Sequence, residues 1–197
     1  MTDQKDIWTA FRSGDEEAFS RLFFDHYSRL FYYGVKLVRD EELVKDVIQD
    51  FYLYLFEHRE GLTEEVENVN YYLLSSFRRR LLRAIDRDRR EKDRQDSKMS
   101  GEDQLFTITA EDILIREESK EQHKRFIVRL LEELPPRQRE ILYLKYYLDF
   151  SLPEIAETLS ISYQVAANHL YRALKKLKEN NGVQKSTRRN LWFLFLW

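Results

Sequence analysis

The chain has 197 residues, with 33 Lys and Arg against 35 Asp and Glu, a formal net charge of −2, 5 Gly, 3 Pro and no Cys. The missing cysteines exclude disulfides, thiolate metal sites and a cysteine nucleophile, and they fit a reducing compartment. So few Gly and Pro exclude a fold rich in tight turns, and 43% hydrophobic with 35% charged residues points to a mostly helical protein of one or two small domains.

The N-terminal stretch lacks a signal-peptide-like apolar run. No stretch approaches the roughly 20 apolar residues of a membrane helix. Residues 5–12 are expected to form a first helix using Ile7, Trp8 and Phe11. Ser13 with Glu16 reads as a capping box for a second helix over 15–37. Its inner side would carry Phe19, Leu22, Phe23, Tyr27, Leu30, Phe31 and Val35, with Gly34 marking close helix packing. Asp40 caps a third helix to His58, with a wide stripe of Leu43, Val44, Val47, Ile48, Phe51, Leu55 and Phe56. Gly61 and Leu62 break the pattern, and Thr63 caps a short turn through Glu65. A fourth helix starts near Asn68, with Leu73, Phe77, Leu81, Ala84 and Ile85 inward. Arg80, Arg83, Arg87, Arg90 and Arg94 share its opposite face.

Residues 91–109 are polar and aperiodic. They place a flexible linker over 93–112, between a domain at 1–92 and another at 113–182. Further helices are expected at 111–133, 136–148, 152–159 and 163–180, with Pro136 at a helix start. The last two form a helix-turn-helix. Ser151 and Glu154 make a capping box, Ile161 plugs the turn and Ser162 caps the second helix. Val165, Ala166, Leu170, Ala173, Leu174 and Leu177 form its apolar stripe. Gln164, Asn168, His169, Arg172, Lys175, Lys176 and Lys178 lie opposite, free for a DNA major groove. The fold class is therefore all-α: two small helical domains and a linker, the C-terminal domain a helix-turn-helix. Residues 183–197 form a tail, basic and then apolar (LWFLFLW).

Charge is unevenly distributed. Acids dominate 40–67, while 78–94 and 172–189 are basic. Two basic surfaces suit a polyanion, and the acidic segment suits a protein partner. Asp46, Gln49 and Asp50 share one helix face. Paired carboxylates can serve acid/base chemistry, yet no metal set or phosphate loop accompanies them. His26, His58, His123 and His169 fall on separate helices and read as surface or half-buried. No catalytic residue, metal or cofactor is expected, and the chain is read as a non-enzyme.

Three segments carry a resemblance: VKDVIQDFYLYLFEH at 44–58, the tyrosine- then arginine-rich helix at 70–90, and residues 134–177. In this order, and with this linker, they are similar to the extracytoplasmic-function (ECF) sigma factors of bacterial RNA polymerase, in the sigma-70 family. The resemblance spans most of 5–180. It implies a cytoplasmic protein that directs core polymerase to specific promoters and helps melt the start site. The 1–92 domain would be sigma region 2 and the 113–182 domain sigma region 4. Asp46, Gln49 and Asp50 would dock on core polymerase. Asn68, Asn70 and Tyr71, before and at the start of the fourth helix, would meet the melted −10 element. Arg78, Arg79, Arg80, Arg83 and Arg87 would hold its backbone. An Asn is frequent in the family near Arg79. Gln164, Asn168 and His169 would read −35 base edges, while Arg137, Arg139, Arg172, Lys175 and Lys176 would contact phosphates. Val165 and Ala167 stand where Thr and a basic residue are frequent, and Ser160 replaces the usual turn Gly. Partners are then core polymerase, promoter DNA (duplex at −35, melted at −10) and, for some members, an anti-sigma factor. The alternative is a stand-alone helix-turn-helix regulator with a protein- or ligand-binding N-terminal domain. The acidic face and the second basic helix weigh against it.

Overall fold

The computed structural model describes residues 4–93, 106–108 and 128–179. Among them every regular element is a helix. The chain separates into two compact units between Gly101 and Glu102, within the stretch expected as a linker. The apolar tail and residues 111–127 of the helix expected over 111–133 lie outside the described residues.

The first unit contains α1 (Gln4–Arg12), α2 (Glu16–Val38), α3 (Glu41–Glu57), a 3-10 turn (Arg59–Gly61) and α4 (Val69–Asp93). Helix α2 packs on α1, α3 and α4, and α3 packs on α4. The capping box expected from Ser13 and Glu16 does not form. Asp15 caps α2 instead, accepting from the Ala18 N–H at 3.0 Å, and the Ser13 hydroxyl donates back to the Thr9 carbonyl. Asp40 caps α3 through the Leu43 N–H at 3.0 Å. The tight α2–α3 corner places Arg39 in the left-handed region, with φ 59°.

The inner side of α2 keeps the expected Leu22 and Leu30 but not the expected aromatics. Leu22, His26, Leu30, Tyr33, Gly34 and Leu37 are buried, whereas Phe19, Phe23, Tyr27 and Phe31 are half-buried along its flank. The flank still makes contacts: Phe23 meets Tyr52 edge-on and Tyr27 stacks on Phe31. His26 is only 3% exposed, not a surface residue. Burial first, then the Arg29 charge, pushes its pKa down to about 4, against a smaller upward pull from Asp25. Gly34 lies where three helices meet, facing Val44 and Phe77.

The second unit holds the helical residues 128–132 and α5 (Pro136–Tyr146), α6 (Leu152–Thr158) and α7 (Tyr163–Glu179). Leu130, Leu134, Leu142, Ala173 and Leu177 form one core cluster, with Leu170, Leu174 and Tyr146 packed on it. Phe106 is buried and meets Tyr143 at 5.4 Å. The capping box at the start of α6 is complete. The Ser151 hydroxyl accepts from the Glu154 N–H, and the Glu154 carboxylate accepts from the Ser151 N–H at 2.7 Å. The α6–α7 turn is held by the Ile161 N–H donating to the Ala156 carbonyl. Ser160 in that turn has φ 54°, the conformation glycine supplies without steric cost. Val165 departs from the expected apolar stripe: it is 40% exposed, on the solvent side of α7.

Candidate docking and nucleic-acid surfaces

The acidic cluster lies on the outer face of α3. Val44, Val47, Ile48 and Phe51 turn into the core, which forces Asp46, Gln49 and Asp50 into solvent, where all three are exposed. Leu53, one turn further along that face, is 54% exposed. An apolar side chain among carboxylates suits burial against a protein. Sequence patterning assigned Leu53 no role because it lies off the core stripe.

The loop before α4 is pinned from both sides. The Trp8 indole donates to the Thr63 carbonyl at 3.0 Å, and the Trp8 ring meets Tyr72 edge-on. Asn68 caps α4 by accepting from the Tyr71 N–H at 3.1 Å. The Asn70 amide is engaged twice: its oxygen accepts from Arg29 at 2.6 Å, and its nitrogen donates to Gln4 at 3.1 Å. Tyr71 is half-buried.

The arginines of α4 split by helical phase. Arg78 is 3% exposed, and its Nε donates to the Tyr33 hydroxyl at 2.8 Å, so its side chain serves the core rather than an outer surface. Arg79, Arg83 and Arg87 are exposed. Arg80 lies between these groups, its guanidinium 3.7 Å above the Tyr54 ring centroid. Tyr54 in turn stacks on His58 at 4.2 Å. Arg80, Tyr54 and His58 thus form a stack at the α3–α4 surface. Tyr54 and His58 were missed as site residues; their i, i+4 spacing beside the arginine helix was the available signal.

On α7, Gln164 and Asn168 are exposed and hydrogen-bonded to each other at 3.2 Å. Their amides are pre-aligned along one edge. His169 is half-buried, and its Nδ1 finds no hydrogen-bond partner among the described residues. Burial, then the charges of Arg137 and Arg172, lower its pKa, so the ring is neutral at pH 7. Arg172 and Lys175 are exposed, and Lys175 lies 3.7 Å from Glu179. Lys176 instead donates to the Glu133 carbonyl and ties α7 to the end of the helical segment 128–132. At the start of α5, Arg137 pairs with the buried Glu140 at 3.2 Å, while Arg139 is 9% exposed. Arg139 and Lys176 therefore differ from the outward phosphate contacts expected of them. Among the described residues no His, Asp and Glu cluster could hold a metal, and no helix is long and apolar enough to cross a membrane.

The family model for Sigma-70, region 4 matches residues 127–177, which hold the helix-turn-helix. The ECF RNA polymerase sigma factor SigK of Mycolicibacterium vanbaalenii is 24% identical over 173 residues, covering 86% of this chain and 84% of that one. In fold, the chain is similar to CnrH, solved in complex with the cytosolic domain of CnrY. There the TM-score is 0.55 at 20% identity, over 90% of this chain and 96% of that one. It is also similar to the sigma factor RpoE solved with the anti-sigma factor NepR from Bartonella quintana, with a TM-score of 0.58 at 16% identity, over 86% and 99% of the two chains. The chain is thus similar to extracytoplasmic-function sigma factors in three respects: a two-unit helical fold, a match to Sigma-70, region 4 over its helix-turn-helix, and a sigma-factor relative along most of its length.

Proposed function

We propose that the two units divide the work of a sigma factor: the first docks on core polymerase and holds the melted −10 strand, and the second reads the −35 duplex. The function as a whole is to direct RNA polymerase to specific promoters and initiate transcription. The chain performs no covalent chemistry of its own; the polymerase makes the phosphodiester bonds. It acts in the cytoplasm, where core polymerase and promoter DNA are found. Its third partner is an anti-sigma factor of the kind that Bartonella RpoE binds.

Docking uses Asp46, Gln49 and Asp50 around Leu53. The carboxylates supply charge-assisted hydrogen bonds, and Leu53 supplies a small desolvated centre. At −10, Arg79, Arg83 and Arg87 hold the strand's phosphates. Asn68 and Asn70 shape the adjoining loop rather than reach for bases, because their amides are already engaged. The stack of Arg80, Tyr54 and His58 offers its outer face to an unstacked base, worth about 1–3 kcal/mol per base. At −35, Gln164 and Asn168 meet base edges, with neutral His169 beside them. Arg137, Arg172 and Lys175 position the domain on phosphates.

The exposed, mutually bonded Gln164–Asn168 pair on a helix-turn-helix carries this reading. Transcription of host genomic DNA by core polymerase, with and without the chain, tests it. RNA 5′ ends sharing an upstream two-element motif should appear only with the chain. Their absence would sink the proposal.

A further inference from the structure

Ser162 caps α7, its hydroxyl accepting from the Val165 N–H at 3.3 Å. The bond fixes Val165 as the third residue of α7, in the turn that a helix-turn-helix points at base edges. Its neighbours there divide sharply. Ala166 is fully buried, whereas Gln164 and Asn168 are exposed and bonded to each other. Asn168 follows Val165 by three residues and Arg172 follows Asn168 by four, so the three side chains share one face. Val165 is 40% exposed on that face. Neither folding role accounts for a valine here. It adds little to the core, and a β-branched residue suits an exposed helix position less well than alanine. A lone exposed valine is ordinary on a protein surface. This one is set apart by its place, an apolar side chain beside two amides aligned along one edge.

We infer that Val165 is a specificity-determining residue: its methyl groups pack on the C5-methyl of a thymine in the −35 duplex, next to the base edges met by Gln164 and Asn168. Valine has no donor or acceptor, so it reads no base by hydrogen bonding. The C5-methyl of thymine is the apolar group that a base pair presents in the major groove. The stiff χ1 of valine holds both methyls in place before contact, so little side-chain freedom is lost on binding. Amide side chains pair best with adenine. Together, Gln164, Asn168 and Val165 therefore select A·T pairs where the first turns of α7 enter the groove. This inference rests on the −35 reading of α7 and deepens it, by naming a base and the group on it that is recognised.

Deoxyuridine tests this, because it pairs as thymidine does but lacks the methyl. The full chain, with core polymerase from its host, first selects duplexes from a promoter library randomised at −35. Each thymine of the enriched element is then replaced singly by deoxyuridine, and affinity is measured for the wild type and for Val165→Ala. Alanine at this exposed helix position favours the fold, which circular dichroism will check. One replacement should weaken the wild type about fourfold, the effect of one methyl removed from water. Val165→Ala should bind the thymine and deoxyuridine forms alike. An enriched element without thymine, or a wild type indifferent to deoxyuridine at every position, overturns the inference and leaves the −35 reading standing. A Val165→Ala variant that loses as much to deoxyuridine as the wild type assigns the methyl to another residue or to duplex shape, and overturns the inference as well. Failure to enrich any −35 sequence contradicts the −35 reading itself, and the inference falls with it.

Discussion

Gly34→Ala tests the packing that holds the docking helix in place. In an open helix this change stabilises by about 1 kcal/mol, because Ala is the better helix former. Here a methyl on residue 34 would lie 2.7 Å from Val44 Cγ1, 3.0 Å from Val44 Cγ2 and 3.2 Å from the Phe77 ring. Val44 and Phe77 are both fully buried. Val44 cannot turn away: its χ1 is stiff in a helix, and rotation only exchanges one methyl for the other. The α2–α3 spacing must therefore widen, an overpacking cost of about 1–3 kcal/mol. The balance is a net loss of about 1 kcal/mol, or about 4–8 °C in Tm for a unit of this size. Thermal melting by circular dichroism checks it. Val44→Ala removes both close methyls, so Gly34→Ala made in that background should recover its helix-propensity gain. A single Gly34→Ala variant as stable as wild type would refute the reasoning.

His26 makes stability depend on pH. Its folded pKa, about 4, lies below the ordinary value of 6.5, so the unfolded chain binds the proton more readily. Stability is then full above about pH 6.5 and falls as pH drops toward 4, by up to about 3 kcal/mol. Urea midpoints at pH 7 and 4.5 should converge in His26→Phe relative to wild type. Ser160→Gly relieves the left-handed turn between α6 and α7, so it should raise the stability of the second unit by about 1 kcal/mol, as chemical denaturation can measure. On promoter DNA, Asn168→Ala should change the preferred −35 sequence, read by selection from a randomised duplex. Lys175→Ala should weaken all sequences alike and lower the salt slope by about 1.

The helices were legible because their periodicity, caps and prolines agree. Asp40, Pro136 and the Ser151–Glu154 box mark helix starts within a residue of where they occur. Misreadings came where two residue types competed for one role. Asp15 displaced Ser13 as cap because its side chain sits three residues before the Ala18 N–H it satisfies. The α2 aromatics Phe19, Phe23, Tyr27 and Phe31 look like core by hydropathy, but their phase leaves them on the flank, and His26 and Tyr33 join the expected Leu22 and Leu30 in the interior. A polar residue such as His26 enters a core only through tertiary packing, which a single sequence does not display. Within the candidate site, the face bearing Asp46, Gln49 and Asp50 followed from spacing alone. The inward turn of Arg78 did not, since it depends on the Tyr33 hydroxyl from a distant helix. The pairing of Arg80 with Tyr54 also joins elements far apart in sequence.

The central claim is that the exposed α3 face docks on core polymerase. Co-purification of the chain with core polymerase from its own host, wild type against Asp46→Lys/Asp50→Lys, tests this most directly. Both aspartates are solvent-exposed, so the reversal leaves the fold intact. The account predicts a complex with the wild type that the double variant loses. A double variant that binds core as well as the wild type would contradict the docking face. A wild type that fails to bind, both intact and truncated after Arg189, would contradict the sigma-factor account itself.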